Sequence, residues 1–112
     1  IVLVTNFTPV LPADIYANKY NDWSHVKAVA DKQVYKLPLG IYRSYTPSAD
    51  TPMTLLWMAK TVYPKLFADI DLTKEVKTYY EKLYGIRLTD AQVSGMFEPR
   101  ANRADGFSQS GR

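Results

Sequence analysis

Residues Ile1 to Thr5 form an unbroken apolar run closed by a hydroxyl residue, and all but Leu3 are β-branched. Such a run predicts a strand buried on both faces, as in a parallel sheet. Asn6-Phe7-Thr8-Pro9 then reads as the loop at its carboxyl end. Pro12, with Asp14 behind it, opens a helix continued by Ile15, Tyr16 and Lys19-Tyr20 to about Asn21. Asp22 is placed to cap a second short helix through Trp23, His25-Val26 and Val29. After the polar turn Asp31-Lys32, residues Gln33 to Pro38 alternate polar and apolar, which predicts a second strand stopped by Pro38.

Leu39 to Pro52 holds Gly40, Pro47, Ser48, Asp50 and Pro52 and reads as a long loop, a kind of segment that is often functional in compact domains. Thr51 is expected to cap the next helix, with Pro52 as its first residue. Met53, Leu55-Leu56-Trp57, Met58-Ala59 and Val62-Tyr63 are apolar nearly all round, so this helix is expected to be central and buried, ending at Pro64. Asp71 caps a helix from Leu72 to Tyr84 whose stripe is Leu72, Val76, Tyr79-Tyr80 and Leu83, with Gly85 as its stop. Thr89-x-x-Gln92 is a capping box for a last helix through Met96. Residues 98–112 lack periodicity and read as a flexible tail. The expected order is β-α-α-β-loop-α-α-α. Two strands do not easily make an independent sheet, and the chain opens directly on a strand. It is therefore expected to be a piece of a longer protein, or to pair with a second copy as a homodimer through its open sheet edge.

Composition narrows the chemistry. With no cysteine and one histidine, His25, the 112 residues hold no thiolate or multi-His metal site and no Cys nucleophile. The net charge of +3 comes from bases interleaved with acids. A basic module binding nucleic acid or a protein partner is the alternative reading; it would need Lys60, Lys65, Lys74, Lys77, Lys82 and Arg87 gathered on one face. No glycine-rich phosphate loop and no serine elbow is present, so nothing points to an enzyme.

The candidate site is a binding site. The loop after the second strand carries Tyr42, Arg43 and Tyr45, at the carboxyl edge where α/β sheets take ligands. The tyrosines supply flat apolar area with hydroxyl tips, and the arginine a planar cation for an anionic group. Asn6 and Phe7 follow the first strand and open on the same edge if the two strands are parallel neighbours. Either set could instead pack for stability. Tyr79, Tyr80 and Tyr84, at helical spacing, read as core and boundary residues. Trp57 reads as core, Trp23 and His25 could face a ligand, although a lone His on a short amphipathic helix is more often structural, and the Asp69/Asp71 and Asp50/Thr51 pairs read as helix caps.

The phrase from Trp23 through Ala28-Val29-Ala30 and Val34-Tyr35-Lys36-Leu37-Pro38 resembles a segment of the substrate-binding proteins of ABC importers for iron–siderophore, haem and cobalamin. The resemblance runs on through Gly40, Tyr42 and Tyr45, Pro47-Ser48-Ala49-Asp50-Thr51-Pro52, Leu55-Leu56-Trp57-Met58-Ala59, Tyr63-Pro64-Lys65-Leu66-Phe67 and Tyr79 to Gly85. It covers residues 1–97 and maps them onto the later part of a carboxyl-terminal lobe. It implies a helix-rich α/β, partial Rossmann-like lobe with few parallel strands, belonging to a two-lobed protein joined by a rigid helix. It implies no enzymatic activity and no cofactor. The protein would hold a metal chelate (a ferric siderophore, haem or cobalamin) between its lobes and deliver it to a membrane permease, from the periplasm or as an anchored extracellular lipoprotein. Tyr42, Arg43 and Tyr45 match positions of the family's ligand loop. Many relatives have Trp where this chain has Tyr45. Tyrosine plus arginine would suit a ferric chelate with anionic groups, or the propionates of haem.

Overall fold

The structure is a computed structural model and describes residues 1–5, 8–40 and 47–97. The elements follow the expected order: β1 (Val2–Val4), α1 (Pro12–Tyr16), α2 (Lys27–Ala30), β2 (Val34–Lys36), α3 (Thr51–Val62), α4 (Leu72–Tyr84) and α5 (Asp90–Phe97). The two strands are parallel neighbours, with Val2 opposite Val34, Leu3 opposite Tyr35 and Val4 opposite Lys36. Val2 N–H donates to Gln33 O at 2.8 Å and Leu37 N–H to Val4 O at 2.9 Å, extending the ladder at both ends. Burial is less complete than a two-sided sheet would give: Val4 and Val34 are buried, Val2 and Leu3 half-buried, and Ile1 exposed.

The segment between the strands is shorter in helix than its pattern predicts. Pro12 opens α1, and the Asp14 carboxylate accepts the Leu11 amide at 2.9 Å. The helix stops at Tyr16 instead of running to Asn21, because Asn18 turns left-handed (φ 51°), a conformation asparagine tolerates. The Asn18 side chain then accepts the Trp23 amide at 2.8 Å and redirects the chain. Asp22 does not cap a helix either; it accepts the Ser24 amide at 2.9 Å in a turn, and α2 begins only at Lys27. Lys32, also left-handed, ends the polar turn, and the Gln33 amide reaches back to Ala28 O at 2.7 Å.

Val4, Ile15, Val29 and Val34 form one core cluster, with Trp23, Val26 and Tyr16 packed around it. The Tyr16 hydroxyl accepts from Val34 N–H at 3.0 Å, a backbone group that the alternation of a parallel ladder turns away from β1. A second cluster joins α3, α4 and α5 through Val76, Tyr80 and Val93, with Met53, Leu72 and Leu88 against it. Trp57 on α3 links the two halves, edge-on to Tyr35 (centroids 6.5 Å apart) and stacked on Phe97 (6.4 Å).

Local signals in the helical half read true. Asp71 caps α4 by accepting the Lys74 amide at 3.0 Å, and Gly85 ends the helix at φ 65°. The Thr89–Gln92 capping box opens α5. The expectation for α3 needs correction. Only Thr54 and Trp57 on it are buried, while Leu55 is 59% exposed and Val62 and nearby Tyr63 and Leu66 lie open. An apolar composition all round does not say which side the remaining elements of the fold cover. Thr51 is the first helical residue and not the cap. That position belongs to Asp50, whose side chain makes no capping hydrogen bond. Among the described residues, no helix is long and apolar enough to cross a membrane.

Candidate functional site

Because β1 and β2 are parallel, their carboxyl ends, at Val4-Thr5 and Lys36-Leu37, lie on one edge of the sheet. The residues singled out from sequence, Asn6 and Phe7 after β1 and Tyr42, Arg43 and Tyr45 after β2, all lie outside the described residues. The chain segments that lead into and out of them are described, and they are held by groups to which the sequence pattern assigned other roles.

The first stem, residues 8–10, is held by Lys36. This last residue of β2 is fully buried, and its ammonium donates to Thr8 O at 2.6 Å and Val10 O at 2.9 Å. Burying an ammonium is unfavourable unless strong acceptors replace water, and backbone carbonyls of the neighbouring loop serve that role here. One signal was available: a lysine at the end of a strand read as belonging to a covered sheet has no solvent to face.

The second stem runs from Leu37 to Gly40 and resumes at Pro47. Leu37 and Pro38 are buried, and Leu39 N–H donates to Met96 O at 3.1 Å, tying the stem to α5. On the far side of residues 41–46, Ser48 N–H donates to Thr51 Oγ1 at 2.9 Å and Asp50 N–H to Ser48 Oγ at 3.2 Å. Asp50 is 2% exposed, and its carboxylate accepts a hydrogen bond from the hydroxyl of Tyr80 on α4, itself 1% exposed. Burial first, and then this carboxylate, push the Tyr80 phenol far above the usual tyrosine range. Next to it the Tyr79 hydroxyl donates to Ala49 O at 2.6 Å; burial is also the largest cause of its raised pKa, with Tyr84 second. Gly40 lies directly against Asp50: a Cβ there would stand 2.4 Å from Asp50 Cγ and Oδ1. The tyrosines read as core and boundary residues do pack in that way, with Tyr84 the exposed member, but Tyr80 also carries a polar contact 30 residues away in sequence. No local pattern announces that contact. Trp23 and His25 do not join this edge as a pair: Trp23 packs on the first core cluster and His25 is exposed.

Elsewhere, an open groove of about 700 Å³ lies between α4 and α5. Its wall carries both signs of charge, with Lys77 paired to Asp90 across it at 2.6 Å. Arg87 is paired to Glu81 at 2.9 Å, and Lys60 donates to Phe67 O and Ile70 O at 2.9 and 2.7 Å. Three of the six bases that a nucleic-acid surface would need are thus engaged within the chain. Among the described residues, no group of three His, Cys, Asp or Glu side chains is placed to hold a metal ion.

No family model matches the chain. Over 79 residues it is 34% identical to the molybdate-binding protein MolA of Haemophilus influenzae, a stretch covering 63% of this chain and 21% of that protein. Its structure is similar to the crystal structure of a periplasmic solute binding protein from Veillonella parvula, with a TM-score of 0.80 and 36% identity, covering 91% of this chain and 32% of that one. The chain therefore spans about a third of the solved relative's length. Its helix-rich α/β arrangement with a small parallel sheet matches a fragment of a periplasmic solute-binding protein lobe.

Proposed function

We propose that this chain forms part of one lobe of the solute-binding component of an importer. That component captures an anionic, metal-containing solute between two lobes in the periplasm and hands it to a membrane permease. The observation that carries the reading is the likeness over 91% of the chain, at 36% identity, to a periplasmic solute binding protein. The geometry supports it, since the parallel pairing of β1 and β2 opens the segments after both strands on one edge, where α/β folds take ligands.

Tyr42, Arg43 and Tyr45 are the proposed ligand contacts after β2, with Asn6 and Phe7 after β1. Arg43 supplies a fixed cation and paired donors for an oxyanion or carboxylate, and the aromatic residues supply the wall. The relative from Haemophilus influenzae binds molybdate, an oxyanion. The sequence phrases that resemble metal-chelate importers favour ferric siderophores, haem or cobalamin. Anionic ferric siderophores and the propionates of haem share with molybdate a negative charge that Arg43 would meet, so anion recognition is the common element and molybdate the first candidate. Binding alone is needed, without covalent chemistry. A periplasmic setting, or a lipid anchor at the cell surface, fits this role.

The test is a calorimetric titration of the complete polypeptide carrying this chain with sodium molybdate, a ferric catecholate siderophore, haemin and cyanocobalamin. Saturable binding of one of them, weakened by Arg43→Ala, supports the reading. Failure of all four to bind overturns it.

A further inference from the structure

We propose that Asp50 and Tyr80 are positioning residues. Their buried hydrogen bond fixes the two chain stems that flank residues 41–46 against α4, in the arrangement that ligand capture needs. The statement about ligand rests on the function proposed above; the statement about the stems rests on the structure alone.

Asp50 occupies the cap position of α3, where an aspartate ordinarily accepts an amide of the first turn. Asp71 does so at the start of α4. Asp50 does not, and Ser48 and Thr51 make the local turn bonds in its place. Its carboxylate is thereby turned toward Tyr80. Gly40, on the other stem, leaves the space this carboxylate fills. One buried acid thus touches the chain before residues 41–46, belongs to the chain after them, and is bonded to α4. Two further bonds support the same arrangement, Tyr79 Oη–H to Ala49 O and Leu39 N–H to Met96 O.

Stability alone does not account for such a device. A buried carboxylate loses its hydration, and apolar residues of similar volume are often as stable or more so in its place. Directionality is what the polar pair adds: a hydrogen bond fixes relative orientation where apolar packing permits several.

The experiment uses the complete polypeptide as parent, Tyr80→Phe, Asp50→Asn, and Val29→Ala in the other core cluster as a control of comparable instability. Hydrogen exchange is read at the amides of residues 39–40 and 48–50 without ligand, and affinity is read with sodium molybdate and, in parallel, haemin. In Tyr80→Phe, exchange at both stems rises about tenfold or more, and affinity for whichever probe the parent binds falls by a similar factor. Asp50→Asn keeps an acceptor for the Tyr80 hydroxyl and stays closer to the parent. Val29→Ala lowers the unfolding midpoint but changes neither stem exchange nor affinity. Parent-like exchange at either stem in Tyr80→Phe overturns the proposal, as does an equal loss of affinity in Val29→Ala. A parent that binds neither probe counts against the proposed function, and the exchange measurements then decide the role of the pair by themselves.

Discussion

Replacing Gly40 by alanine is the most direct probe of how tightly the second stem is built. The added Cβ would stand 2.4 Å from Asp50 Cγ and Oδ1 and 2.7 Å from Oδ2, about 1 Å inside ordinary contact. The carboxylate has no open direction to move into, being 2% exposed and bonded to Tyr80. Overpacking of this kind costs about 1–3 kcal/mol. Displacing the carboxylate from Tyr80 adds roughly the worth of a hydrogen bond to a charged group, about 1.5–3 kcal/mol. The alanine returns about 0.4–1 kcal/mol by restricting the unfolded chain. The net expectation is a loss of about 1.5–5.5 kcal/mol, read as a lower urea midpoint at unchanged slope. The decisive comparison is made in the Asp50→Ala background. With the carboxylate gone, Gly40→Ala costs less than about 1 kcal/mol, so the two substitutions are strongly non-additive. Equal cost of Gly40→Ala in both backgrounds would refute the claim that Asp50 is what glycine accommodates.

Lys36→Met strips the donor from Thr8 O and Val10 O. The lost charged hydrogen bonds outweigh the relief of burying no ammonium, giving a loss of about 2 kcal/mol by urea unfolding; a stabilised variant would show that the stem does not depend on this lysine. Asp71→Ala removes the cap on the Lys74 amide and is expected to cost about 1 kcal/mol, whereas Asp50→Ala, which loses no cap, loosens the 39–40 and 48–50 amides instead, as hydrogen exchange would report. Asp14 is held below its ordinary pKa first by the Leu11 amide and then by Lys19. Its stabilising contribution is therefore complete above the ordinary aspartate range and is lost as the pH falls through the lowered folded value. Asp14→Asn should flatten the acid limb of a plot of unfolding midpoint against pH, and an unchanged limb would count against the assignment.

What could be read from the sequence divides by the range of the signal. The α4 cap at Asp71, its stop at Gly85 and the box at Thr89–Gln92 are decided within one helical turn, and all three stand where the pattern placed them. Both strands were legible, from the β-branched run at Ile1–Thr5 and the alternation before Pro38, whereas their parallel pairing entered only as a condition and through the family resemblance. The extension of α1 was misread because one left-handed asparagine outweighs several helix-compatible neighbours. The roles of Asp50 and Lys36 were missed for a different reason. Each depends on a partner 26 or more residues away, so their sequence neighbourhoods describe a cap and an ordinary strand lysine. The exposed side of α3, with Leu55 and Val62, shows the same limit, since an apolar helix records that it can be buried but not by what.

Solute binding is proposed at the edge where both strands end. Its most direct measurement is a calorimetric titration of the complete polypeptide, parent and Arg43→Ala, with sodium molybdate, followed by a ferric siderophore, haemin and cyanocobalamin. The expected result is saturable one-to-one binding of one of these by the parent and an affinity lower by about tenfold or more in Arg43→Ala. A parent that binds none of the four, or binding that Arg43→Ala leaves untouched together with Tyr42→Ala and Tyr45→Ala, would contradict it.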